Sequence, residues 1–573
     1  MIAWRAARAG RGSTPPAPVR DGASLASEEP TPRASLPRME FDLQSLLARE
    51  RGQGTSQLAE HVNPRFATVL RTIGFDREYV RAEGAHLWDA KGNRYLDFLA
   101  GYAVCNLGRN HPTVVRALQD ALALELPSMV QFEVPTLAAA LARELKLRVG
   151  RGLDHVFFTN SGTEGVEAAI KFAKCATGRP GLLYARKAFH GLSSGSVSLN
   201  GCESFRAGFA PFLPGCRMVE FNDLASLEAE LALGDVAAFV IEPIQGKGVN
   251  IHSQGYLAEA GRLCRKHGAL LVCDEVQTGV GRTGSFLAID QEDGVEPDMV
   301  VMSKALSGGQ VPVGAVLVRS GVWKATFSSL DRAIVHSSTF HMGTLAMVAG
   351  LSVLHAYDSC DAAGNARRMG ARLVEGLTAM QPRFEMLKAV RGRGLMIGIE
   401  FGQPKSLALR ASWAATHAMD RNLFAQSAIV PLMEDHRIIC QVAGHNLDVV
   451  KLIPPLVIDE QDVRWFLGAF EEVLHSMHRP LATAGLLARL GRNTLRNVVG
   501  SADWTRPSPR KPHQQHVLPR RPQAAFEDGP CLIADRRAAD GADGAVPRGP
   551  FDSAGRRSRE NQAVRAGTLA EQV

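Results

Sequence analysis

The sequence predicts an α/β protein: a large domain whose mainly parallel sheet is flanked by helices, plus a smaller α+β domain. Three observations predict it. From about 112 to 345, short apolar runs alternate with amphipathic stretches of helical period. From about 360 to 478 the order changes to helix, strands and a closing helix. Both chain ends are rich in Arg and Pro and show neither period.

Residues 1–38 read as a disordered extension, because Pro15, Pro16 and Pro18 interrupt any transit-peptide-like helix early. Residues 39–111 are the N-terminal segment of the small domain. They hold a hairpin over Ala85–Leu96, with Lys91-Gly92-Asn93 as its turn. Residues 112–358 form the large domain. Its strands are Val156–Phe158, Leu182–Tyr184, Ala237–Ile241, Ala269–Cys273, Met299–Met302 and Gly314–Val318. Glu164–Ala176 and Leu257–His267 are among its helices. Residues 359–480 complete the small domain with a helix over 362–380 and strands over Met396–Phe401, Ala428–Leu432 and Ile438–Val442. A last helix, Glu460–His475, is capped by Asp459. Residues 481–573 are a mostly disordered tail.

Composition excludes several classes. The 573 residues are 45% hydrophobic and 21% charged, as in a soluble globular protein. The net charge of +7 sits largely in the tails, not on a periodic face, which argues against a nucleic-acid partner. The nine cysteines form no C-x-x-C pair, so neither a disulfide framework nor a zinc site is expected; no metal is expected, and the compartment is the reducing cytoplasm. No apolar run is long enough to span a bilayer.

In an open parallel sheet, ligands bind beyond the strand carboxyl ends. Four loop motifs lie there. Asn160-Ser161-Gly162-Thr163-Glu164-Gly165 opens a helix after a strand. Small residues and free N–H groups there favour an anion such as phosphate, although alone this is an ordinary capped helix. Asp274-Glu275-Val276-Gln277 ends a buried strand, where a carboxylate needs a partner: a protonated pyridine nitrogen, a metal or a cap. Ser303-Lys304-Ala305-Leu306-Ser307-Gly308-Gly309 places a lysine among apolar and small residues, where burial can lower its pKa and make the amine nucleophilic, or where it is simply a solvated lysine at a strand end. Lys187-Ala188-Phe189-His190-Gly191 offers an aromatic ring for stacking, or simply a core Phe before a turn. Gly279–Gly284 spells G-x-G-x-x-G, but no helix opens behind it, so a dinucleotide loop is not expected.

These motifs, with Ile241-Glu-Pro-Ile-Gln-Gly246, His336-Ser-Ser-Thr-Phe340 and Leu452-Ile-Pro-Pro-Leu-Val457, occur in order over some four hundred residues. The chain from about 45 to 478 resembles the class III (subgroup II) aminotransferases of fold type I, which use pyridoxal 5'-phosphate. The resemblance implies that Lys304 carries the cofactor as a Schiff base and then moves the proton in transamination. It implies that Asp274 holds the pyridine nitrogen, that Val276 and Phe189 sandwich the ring, and that Gln277 reaches the ring hydroxyl. Ser161, Gly162 and Thr163 would hold the phosphate, with His190 and Glu242 beside the cofactor. Thr339 would reach the neighbouring subunit's phosphate, which implies a homodimer with shared sites. Tyr102 and Lys451 would face the substrates, a small amino donor and a keto or aldehyde acceptor.

The chain departs from ornithine- and acetylornithine-type members at three places. Leu192 stands where they carry an arginine. Lys451 and Lys247 stand where they carry an arginine and a glutamate that pair. His341-Met342-Gly343-Thr344 follows the Thr-Phe motif, where Gly-Gly-Asn-Pro is usual. These departures argue against an ornithine, acetylornithine or 4-aminobutyrate substrate. The nearest alternative activity is another reaction on the same fold, decarboxylation or amine migration. A NAD-dependent dehydrogenase rests on Gly279–Gly284 alone.

Overall fold

Seven strands form the central sheet, in spatial order His155–Thr159, Gly314–Val318, Met299–Met302, Leu270–Asp274, Val236–Ile241, Gly181–Ala185 and Cys216–Val219. The structure is a computed structural model that describes residues 41–493 apart from 131, 420, 422 and 480–483. The expected extension over 1–38 and most of the expected tail lie outside the described residues. Gly314–Val318 runs antiparallel to both neighbours and the other pairings are parallel or share that direction, so the expected mainly parallel sheet has one reversed strand.

The inner strands are buried on both faces, which is why they read as continuous apolar runs. Successive residues feed opposite faces: Phe157 and Val301 join one core with Phe172 of helix Gly162–Thr177, and Phe158 and Val300 join the other. The six strands that share one direction end at the same edge. Asn160, Arg186, Glu242, Glu275 and Ser303 therefore begin loops on one rim.

The hairpin forms as expected from His86–Asp89 and Arg94–Asp97, and Arg94–Asp97 then pairs in parallel with Ile438–Ile439. A second sheet joins Leu387–Arg393, Met396–Phe401, Val449–Leu452 and Gln441–Val442. Asp459 caps Glu460–Met477, its carboxylate accepting from the Gln461 and Asp462 amides.

Two expectations fail. Ala428–Leu432 is not a strand but the middle of helix Leu423–Glu434. That helix buries Phe424, Ala428, Ile429, Val430 and Leu432, and a short apolar run buried all round carries no period that separates helix from strand. Residues 484–493, expected to begin the tail, form a helix whose Leu486 and Leu490 pack on Val430. Among the described residues no helix is long and apolar enough to cross a membrane.

Candidate active site

The rim loops surround a cavity of about 1160 Å³. Ser161, Gly162, Thr163, Phe189, His190, Glu242, Asp274, Val276, Gln277, Lys304, Tyr102 and Lys451 all line it. Thr339 does not; it lies exposed in the segment 336–343, next to Ser338, whose hydroxyl accepts from Asn160 Nδ2 at 3.0 Å.

At one end the chain leaves a buried strand and enters helix Gly162–Thr177. Ser161 caps it, its hydroxyl accepting from the Glu164 amide at 3.3 Å. Glu164 folds back to accept from the Asn160 amide at 2.8 Å. The Thr163 hydroxyl is held by Ser193 and Ser196, at 2.6 and 2.7 Å, so Thr163 offers the cavity its first-turn amide. Gly162 must be a glycine, since a Cβ there would meet Val276 Cγ1 at 2.8 Å.

The middle of the cavity holds a buried acid. Asp274 Oδ2 accepts from His190 Nδ1 at 2.7 Å, and Oδ1 accepts from the Val276 amide at 3.1 Å. Burial opposes charge on His190, but the hydrogen bond and charge of Asp274, with Glu242 nearby, outweigh it and raise the imidazole pKa. Asn200 fixes this loop by accepting from the His190 amide at 3.0 Å and donating to Gly191 O at 2.8 Å. Burial pushes the Glu242 carboxyl up, although it accepts from the Phe189 and Gly246 amides at 3.0 and 2.8 Å.

Lys304 starts the turn after Met299–Met302, with φ of +41°. Burial lowers its pKa against the opposing charges of Asp274 and Glu242. Opposite, Gln277 Nε2 donates to Tyr102 O at 3.3 Å, and Gln277 Oε1 accepts from Lys451 Nζ at 3.2 Å. Lys451 also donates to Gly246 O at 2.9 Å. Burial, then Lys304 and Lys247, lower its pKa to about 7.

The arrangement fits pyridoxal phosphate. It offers free amides at a helix start for an anion, a buried carboxylate able to face a protonated ring nitrogen, and an amine of lowered pKa for an aldehyde. The loop Gly279–Gly284 does not offer a dinucleotide site. It turns around Arg282, whose fully buried guanidinium donates to Leu395 O at 2.9 Å.

Sequence reasoning named His190 but not its bond to Asp274, which joins residues far apart in the chain. It missed Asn200, Phe205 and the stretch Gln441–His445 of the cavity wall, none of which carries a motif. Leu192 is exposed and does not line the cavity.

A model of the family described as Aminotransferase class-III matches residues 72–474. The aminotransferase PigE of Serratia sp. is 36% identical over 446 residues, covering 72% of this chain and 52% of that protein. The chain thus spans about half the length of the curated relative it matches. Among solved structures, the ornithine aminotransferase of Toxoplasma gondii ME49 is similar at 29% identity and a TM-score of 0.61, over 70% of this chain and 90% of that one. An amine transaminase from an uncultivated Pseudomonas species is similar at 26% identity and a TM-score of 0.61, over 70% and 94%.

Proposed function

The chain belongs to the class III aminotransferases, pyridoxal-phosphate-dependent transaminases of small-molecule amino donors and acceptors, and we propose that Lys304 is its catalytic lysine. The observation that carries this reading is the convergence of Lys304, the Asp274–His190 pair and the helix start at Ser161 on one cavity.

In this reading the first-turn amides of Gly162 and Thr163, with Ser161, hold the phosphate. Asp274 would hold the proton of the ring nitrogen, and His190 orients Asp274. Val276 and Phe189 bracket the ring, and Gln277 meets its hydroxyl. Glu242 holds the Phe189 and Gly246 loops in place. Bound pyridoxal phosphate supplies an electron sink for negative charge at the substrate carbon bearing nitrogen. Lys304 Nζ, whose charged form burial disfavours, would take the proton from that carbon and deliver it to the cofactor's former aldehyde carbon, which leaves the nitrogen with the cofactor. The donor leaves as a carbonyl compound before the keto or aldehyde acceptor enters, a ping-pong order. Tyr102 and Lys451 face the substrates.

The active form is a homodimer. Thr339 lies among exposed apolar side chains, with Ile334 70% and Phe340 63% exposed, a surface suited to burial against a second copy. From there Thr339 reaches the partner's phosphate. The eight described cysteines are free thiols, which suits a reducing cytoplasm.

The test is a half-reaction. Loaded protein has a visible absorption band that an amine donor bleaches, with release of a carbonyl product. Lys304→Ala remains folded but loses turnover by at least about a thousandfold. Near-normal transamination in that variant overturns the assignment, and carbon dioxide release in place of amine transfer favours the decarboxylase.

A further inference from the structure

Segment 336–343 leads into helix Thr344–Ser359 and lies against the edge strand of the central sheet, His155–Thr159. Two histidine rings of the segment rest on Phe157 of that strand. The His336 ring lies 4.8 Å from it, and the His341 ring lies 5.6 Å away at an interplanar angle of 12°. Phe172 of helix Gly162–Thr177 meets His336 edge-on at 5.5 Å. His341 opens the departure from the usual Gly-Gly-Asn-Pro, so the second ring is a feature of this chain.

Two hydrogen bonds tie the segment to that helix and to the loop that opens it. Lys171 Nζ donates to His336 Nδ1 at 2.8 Å, and Asn160 Nδ2 donates to Ser338 Oγ at 3.0 Å. Among the described residues, its other hydrogen bonds stay within the segment or run into the helix that follows. The His341 amide donates to Ser338 O at 3.3 Å, and the Gly343 amide donates to Phe340 O at 3.0 Å. Asn160 lines the cavity beside Ser161, and its amide and side chain both donate to Glu164 Oε2, at 2.8 and 3.0 Å. A movement of Ser338 therefore reaches the helix start where an anion binds.

We propose that Lys171 and His336 are positioning residues for cofactor binding: their contact latches segment 336–343 onto the sheet edge and so fixes Asn160 at the phosphate end of the cavity, and a proton on His336 opens the latch. This rests on the reading above that the helix start at Ser161 holds the phosphate. A lysine ammonium only donates, so the contact needs an unprotonated Nδ1. The groups facing His336 are Lys171, Glu164 and Glu167 on the helix and His341 on the segment, while the strand presents the uncharged Phe157. Burial, Lys171 and His341 hold the His336 pKa below its ordinary 6.5 against the two glutamates. The latch therefore contributes in full above 6.5 and loses its contribution as pH falls through the lowered value.

The experiment titrates the full chain with pyridoxal phosphate by absorbance, from about pH 8 to about pH 5, in wild type, Lys171→Met and His336→Asn. Ionisation of the cofactor and of Lys304 is common to all three and cancels in the affinity ratios. On the alkaline side wild type binds roughly three- to tenfold tighter than Lys171→Met, the scale of one partly exposed hydrogen bond. That ratio falls toward unity in acid. His336→Asn, whose Oδ1 can stand where Nδ1 stood but takes up no proton, holds a constant ratio to Lys171→Met. Hydrogen exchange of the His341 and Gly343 amides in cofactor-free protein, corrected for intrinsic rates, reads the latch directly. Protection falls with acid in wild type, is low throughout in Lys171→Met and is steady in His336→Asn. An affinity ratio of wild type to Lys171→Met that ignores pH, His336→Asn falling in parallel with wild type, or protection indifferent to Lys171→Met overturns the latch and leaves the cofactor reading intact. The expected exchange pattern in a protein that forms no visible cofactor band overturns the cofactor reading and leaves the latch.

Discussion

Replacing His190 by leucine tests the buried pair behind the cavity. The side chain volumes are similar, so the change removes a donor without opening a large void. Asp274 Oδ2 loses its 2.7 Å bond and keeps only the Val276 amide on Oδ1. Breaking one side of a buried charged pair costs about 3–5 kcal/mol, and the surviving amide bond puts this case near the lower end. The cofactor-free protein should lose about 3 kcal/mol, measured as a shift in its urea midpoint. The loaded protein should lose less, because a ring N–H facing Asp274 replaces the missing donor. His190→Asn, whose amide can reach toward the same oxygen, should recover part of the loss. The pH dependence has a definite sign. The His190 pKa is raised above its ordinary 6.5, so the pair contributes in full below 6.5 and loses its contribution as pH rises through the raised value. The gap between wild type and His190→Leu should therefore narrow on the alkaline side. A gap below about 1 kcal/mol, or one indifferent to pH, refutes the reasoning.

Two further outcomes follow from the geometry. Gly162→Ala drives a methyl group into Val276, and overpacking of this kind costs about 1–3 kcal/mol, so pyridoxal phosphate affinity in an absorbance titration should fall roughly ten- to a hundredfold. Adding Val276→Ala should restore part of it, and undiminished affinity in Gly162→Ala alone would remove this loop from the cofactor site. Dimers that mix a Lys304→Ala subunit with a Thr339→Ala subunit leave one site with its own lysine and an intact Thr339 from the partner; that site should bind cofactor like wild type, and binding like the Thr339→Ala homodimer shows that Thr339 acts within its own subunit.

The site was legible wherever a motif followed a buried apolar strand. Glu242, Asp274 and Lys304 were found because Val236–Ile241, Leu270–Asp274 and Met299–Met302 are buried throughout or nearly so and all point at one rim. The hairpin was legible because a Lys-Gly-Asn turn separates two short half-buried runs. Ala428–Leu432 was misread because a fully buried segment carries no period, and Pro431 inside the helix removed the remaining cue. The His190–Asp274 bond and the Asn200 brace depend on tertiary placement, which local pattern does not encode. The same holds for two lysines that line the cavity. Lys247 and Lys451 could be read as two lysines in unusual places, but that neither has a carboxylate within ion-pair distance among the described residues required the fold.

Backbone strain accompanies two of the side chains that line the cavity. Ala100, Gly101, Tyr102 and Ala103 take φ of +47°, +62°, +64° and +68°, a left-handed stretch that costs a side-chain-bearing residue roughly 1–2 kcal/mol each. Asp97 offsets that cost. It is 1% exposed, its Oδ1 accepts from the Leu99 and Ala100 amides at 3.0 and 2.7 Å, and Arg109 holds its other oxygen at 2.9 Å. The stretch then turns the Tyr102 carbonyl onto Gln277 and brings its ring near Lys451. Lys304 shows the same economy of placement. Its own φ of +41° comes one residue after the strand ends at Met302, and Ser307 Oγ donates to its carbonyl at 2.8 Å. A right-handed conformation at either place would relieve strain and would also send Tyr102 or Lys304 along a different path from the strand end. At these two places the unfavourable backbone carries a cavity-lining side chain, Tyr102 or Lys304, and hydrogen bonds beside it hold it there.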